Sequence, residues 1–129
     1  DFFTDVVGVG ETQAASDAIT TAEDRNAVIG ELALAGKSKP AQRAAELFAS
    51  LYGSEAANLA LKSLATGGVY VAGSIAAHML PLLKSGPFMK AFLDKGRMSP
   101  LLAKIPVHVV LDSEVGLSGS ALTAAALRA

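Results

Sequence analysis

Between Lys62 and Lys84 the chain carries no charged residue: positions 63 to 83 read SLATGGVYVAGSIAAHMLPLL. A transmembrane helix needs about 20 predominantly apolar residues, so length alone admits a bilayer span. The residues within the run oppose it. Gly67-Gly68 and Gly73-Ser74 are turn signals, and Pro81 would kink or end a helix running through it. Val69, Tyr70 and Val71 are β-branched or aromatic and sit between the two glycine turns. A buried strand, a tight turn and a helix capped by Ser74 account for the same residues with fewer penalties, and no membrane span is expected.

That punctuation sets the frame for the rest of the chain. Residues 1–18 show no sustained period and read as an irregular segment in which Phe2 and Phe3 are the available anchors. A first helix follows, capped by Thr20 or Thr21, with Glu23 and Asp24 in its first turn and Ala27, Val28, Leu32 and Ala35 as its apolar stripe. Gly36 stands where a left-handed residue closes a helix. The strongest helical signal comes next, capped by Ser38 with Pro40 tolerated in the first turn. Ala44, Leu47, Phe48, Leu51, Asn58, Leu59 and Leu61 recur at roughly helical spacing, and Gly53 interrupts it at about 1 kcal/mol relative to alanine. Beyond the strand at 69–71, Ile75, Met79, Leu82 and Leu83 mark the buried side of the helix from Ser74. Phe88, Phe92 and Leu93 mark the next helix, and a short one is capped by Ser99 ahead of Pro100. PVHVVLDS is a second strand, and a closing helix begins near Val115.

The order is α, α, β, α, α, α, β, α. Two apolar strands separated by a helical crossover imply parallel neighbours in an α/β fold. Two strands make a poor parallel sheet, because such sheets are covered on both faces and generally have more members. The expectation is a fragment whose remaining strands lie elsewhere.

Composition removes several function classes. Eleven basic and twelve acidic residues leave no basic stripe for nucleic acid. The absence of cysteine excludes disulfides, thiolate chemistry and sulfur-built zinc sites. His78 and His108 are thirty residues apart with no carboxylates at metal-ligand spacing, so each reads as a core or surface histidine. The chain starts at Asp1 without an initiator methionine or a signal-peptide pattern, as a processed chain or part of a longer one would.

The turn at Gly73-Ser74 is the one candidate for chemistry. A glycine between strand and helix turns sharply and lets a ligand approach the backbone, and a helix N-terminus offers unpaired N–H groups. The pattern is neither G-x-G-x-x-G nor a Walker loop. ANLALKSLATGGVYVAGSIA, FMKAFLDKGRMSPLLAKIPVHVV and GLSGSALTAA occur in the order and spacing of the C-terminal region of bacterial glucokinases. The chain resembles that family over roughly residues 20 to 127.

The resemblance implies the C-terminal part of the large domain of the ribonuclease H-like, actin-like ATPases, here residues 19–129. It implies phosphoryl transfer from ATP to glucose with Mg2+, a cytoplasmic enzyme of glycolysis, and a family commonly dimeric. It implies that Gly73, Ser74 and Ile75 belong to the motif facing the adenosine of ATP, although the family usually has a second glycine where Ser74 stands. The phosphate loop, the Asn-Asp pair holding the catalytic base and the sugar-gripping residues precede this region in the family. No counterpart is found here, so no catalytic and no metal-binding residue is assigned and an isolated chain should be inactive. A missing N-terminal part becomes a partner.

Asn58 matches the Asn of the family's G-N-L-A-L, with Ala57 for the glycine, and reads as a buried helix–helix hydrogen bond or a ligand contact. Lys95, Gly96 and Arg97 are of a kind that meets a phosphate, but read first as a turn between two helices with solvated charges, and Asp112 and Glu114 read as loop carboxylates without a catalytic role. The rival reading is a non-catalytic scaffold or interaction module with kinase-like packing.

Overall fold

A computed structural model describes residue 5 and residues 7–112 and 114–128. Phe2 and Phe3, the expected anchors, lie outside the described residues.

Helix α1 spans Gln13–Thr21, inside and beyond the stretch expected to be irregular. Its signal is a cap, not a stripe: Thr12 Oγ1 accepts from the Ala15 N–H at 3.3 Å. Thr20 and Thr21 therefore close α1 instead of opening α2, and their hydroxyls donate back to the Ser16 and Asp17 carbonyls. Helix α2, Arg25–Leu34, is capped by Asp24, whose carboxylate accepts from the Asn26 and Ala27 N–H groups. It ends as expected at Gly36, with the Gly36 and Lys37 N–H groups donating to the Ala33 and Leu32 carbonyls.

Helix α3 runs unbroken over Lys39–Ser63, with Ser38 as its cap. Ser38 is buried. Its Oγ accepts from the Ala41 N–H and donates to Glu11 Oε2 at 2.7 Å, which ties the start of α1 to the start of α3. The buried face of α3 is not the one that the large residues suggest. Ala41, Ala45, Ala49, Gly53, Ala56, Ala57 and Ala60 are buried, while Leu47, Phe48, Leu51 and Leu59 are exposed. Small side chains let another helix come close. That helix is α6, Pro87–Leu93, the element on which α3 packs most extensively.

Strands β1 (Val69–Val71) and β2 (Val107–Val109) pair in parallel with Val69 opposite Val107, as expected, and form a two-stranded sheet. The valines pack on a core of Ala49, Ala57, Phe88, Phe92, Leu102 and Ile105. Tyr70 and His108 point the other way and stack with ring centroids 5.0 Å apart. Tyr70 is 68% exposed, so the outer face of this parallel sheet is bare in the chain.

Between the strands lie four short helices. The segment after Gly73 splits into α4 (Ser74–His78) and α5 (Leu80–Lys84), because Pro81 has no N–H for the Ala77 carbonyl and its ring clashes there. Ile75, placed on the buried side by its spacing, is 57% exposed. The short α4 turns Ala76 inward instead. Phe88 and Phe92 face the core as expected, and Leu93 packs against it. A 3-10 turn over Gly96–Met98 leads into α7, Ser99–Leu102. Ser99 is the first residue of α7 and no cap, since its Oγ accepts from the Lys95 N–H. Helix α8, Val115–Ala126, has no buried residue. Among the described residues no helix is long and apolar enough to cross a membrane.

Candidate functional site

The turn after β1 is built from both sides. Val71 is buried at the strand end and Ala76 is buried one turn into α4, so the segment 72–75 is strung between two anchors in one core. Ala72, Gly73, Ser74 and Ile75 are all exposed. Gly73 sits at φ 108° and ψ 162°, a conformation that residues with a Cβ rarely adopt.

Gly73, not Ser74, occupies the cap position of α4, and no side chain caps the helix. The expected hydroxyl cap is absent because Ser74 has already entered the helix. The first N–H groups of the helix thus have no intrahelical partner and no side-chain one. A Cβ built on Gly73 would meet nothing within 4 Å, so the space beside this turn is open to an incoming group. His78 closes the other end of α4: its Nδ1 lies 2.7 Å from the Ser74 carbonyl. A carbonyl only accepts, so Nδ1 carries a proton and donates it to that carbonyl. The three residues expected to face a nucleotide are therefore contiguous, exposed and backed by a fixed strand end.

The other residues singled out in the sequence fall elsewhere. Asn58 is exposed, not buried. Its Oδ1 accepts from Lys95 Nζ at 2.7 Å, and Lys95 Nζ also donates to Ser54 Oγ at 2.8 Å. Lys95, half-buried, thus ties the end of α6 to the middle of α3, while Gly96 and Arg97 are exposed as expected of a solvated turn. Sequence spacing could not pair residues 37 positions apart. Asp112 accepts from the Glu114 N–H at 2.8 Å and shapes the approach to α8. Among the described residues no three His, Asp or Glu side chains converge as a metal site.

The sequence model of the family described as Glucokinase matches residues 7–127. The chain is 48% identical over 122 residues to a glucokinase of Nostoc sp., covering 95% of this chain and 35% of that protein. It is 51% identical over 109 residues to a glucokinase of Synechocystis sp., covering 84% and 31%. It is 40% identical over 113 residues to one from Neisseria meningitidis serogroup C, covering 88% and 34%. The chain spans about a third of the length of the curated relatives it matches. The match starts at residue 7, ahead of the start near residue 20 read from the motifs, and so takes in α1.

Proposed function

The chain belongs to the glucokinase family, and from that premise we propose that it forms the C-terminal part of the larger domain of an ATP-dependent glucose kinase. The observation that carries this is the family match along nearly the whole chain, combined with coverage of only a third of each relative. In the whole protein the reaction is phosphoryl transfer from ATP to glucose in glycolysis, in the cytoplasm, with the two substrates held between two domains. Positioning and neutralisation of phosphate charge supply most of such a rate.

Within that reading, Gly73, Ser74 and Ile75 receive the adenosine side of ATP. Gly73 keeps the approach free of a Cβ, the first N–H groups of α4 are available as donors, and Ile75 offers an exposed apolar surface for a base or ribose. ATP supplies the phosphoryl group when bound. Mg2+ would accompany the phosphates, and this chain's described residues offer it no ligand cluster. The base that deprotonates the sugar hydroxyl and the residues that grip the sugar belong to the N-terminal part.

Gly73→Val in a family-length protein carrying this segment tests the reading. Once circular dichroism shows an unchanged fold, the KM for ATP should rise at least about tenfold more than the KM for glucose. An equal effect on both, or none on ATP, would remove Gly73 from the nucleotide site. The 129-residue chain alone should show no glucose-dependent ATP turnover, and enzyme-like rates from it would refute the division of labour proposed here.

A further inference from the structure

We propose, resting on the adenosine reading given above, that the side chains of Ser74 and His78 hold the ribose diol of the nucleotide. They are then specificity-determining residues, which separate ribonucleotides from nucleotides that lack those hydroxyls. The two stand four positions apart on α4 and so share a face of it. Side chains on a helix lean toward its N-terminus. His78 leans far enough for its Nδ1 to reach the Ser74 carbonyl at 2.7 Å, which fixes the ring beside the first turn. Both residues are exposed. Among the described residues the Ser74 hydroxyl makes no hydrogen bond, and His78 makes one through Nδ1 alone. A hydroxyl and a ring nitrogen, each without a partner in the chain, thus stand next to a turn whose glycine leaves open space.

The chemistry selects which part of a nucleotide they meet. Positions 63 to 83 carry no Asp, Glu, Lys or Arg, so nothing in this segment matches the charge of a phosphate. A base presents a flat apolar face, which Ile75 suits at 57% exposure. A ribose presents two neighbouring hydroxyls, each able to donate and to accept. A serine hydroxyl does both. A ring nitrogen does one or the other according to its protonation, and a ribose hydroxyl answers either. Cβ atoms four residues apart on a helix lie about 5–6 Å from each other, which leaves room for one diol between the two side-chain tips.

Isothermal titration of a family-length protein carrying this segment tests it, with ATP, 2′,3′-dideoxy-ATP and GTP as probes. ATP should bind at least about tenfold more tightly than dideoxy-ATP. Ser74→Ala and His78→Phe should each weaken ATP about three- to fivefold and leave dideoxy-ATP within about twofold of the parent. A change that merely loosened α4 would weaken both nucleotides alike. No preference in the parent, equal losses for the two nucleotides, or a change confined to ATP against GTP overturns the proposal. Gly73→Val in the same titration separates this pair from the reading beneath it. If that variant weakens ATP while the Ser74 and His78 variants leave the ratio of ATP to dideoxy-ATP unmoved, the nucleotide site stands and the ribose pair falls. If Gly73→Val leaves ATP binding untouched, both fall.

Discussion

Gly53 and Phe88 meet where α3 crosses α6: a Cβ built on Gly53 would overlap the Phe88 carbonyl and lie 3.0 Å from the Phe88 Cα. The two helices are as close as backbone permits. The glycine that weakens α3 as an isolated helix is what lets α3 and α6 pack.

Gly53→Ala should therefore destabilise the chain. Helix propensity favours alanine by about 1 kcal/mol. The obstruction is backbone, which cannot rotate away as a side chain would, and overpacking of this kind costs about 1–3 kcal/mol or more. Urea denaturation should show a net loss of up to about 2 kcal/mol. A gain would mean that α6 yields freely.

Lys95→Met should lower stability by about 1 kcal/mol, because two partly exposed charge-assisted hydrogen bonds to α3 are lost. A double-mutant cycle with Asn58→Ala should give a coupling of at least about 0.5 kcal/mol. Strict additivity of the two would show the tie to be inert.

Leu64→Gly should stabilise. Leu64 takes φ 48° at the end of α3, where the Leu64 and Ala65 N–H groups donate to the Leu61 and Ala60 carbonyls. The same closing pattern at the end of α2 uses Gly36. A non-glycine residue there costs about 1–2 kcal/mol, and the greater freedom of glycine when unfolded returns part of that. Leu64 is 63% exposed, so little burial is lost, and a net gain of about 0.5–1 kcal/mol should appear as a higher Tm. A lower Tm would place Leu64 in a contact that outweighs its strain.

Asp24→Ala should cost about 1 kcal/mol through loss of the α2 cap. Thr20→Ala, at the other residue with a claim to that role, should stay within about 0.5 kcal/mol of the parent. Chemical denaturation of the two variants side by side separates them. A larger loss at Thr20 would move the start of α2.

Much of this arrangement was legible in the chain because its causes are local. Gly36 closes α2 and Pro81 splits the helix that follows Gly73, each through its own backbone geometry. Ser38 and Gly36 act within one turn, and the valine-rich runs at 69–71 and 107–109 needed only their own composition to be read as strands. The assignment of Gly73, Ser74 and Ile75 to a nucleotide is a proposal that rests on the family motifs. The side that α3 buries is a different kind of fact. Leucines at 47, 51 and 59 and alanines at 41, 45, 49 and 57 both follow helical spacing, and size alone favours the leucines. The choice went to the alanines because α6 had to approach a glycine at Phe88, and how closely two helices pack is a property of the pair. For the same reason Lys95 found Ser54 and Asn58 only when α6 lay across α3, and the open space beside Gly73 exists only because Val71 and Ala76 are pinned into one core.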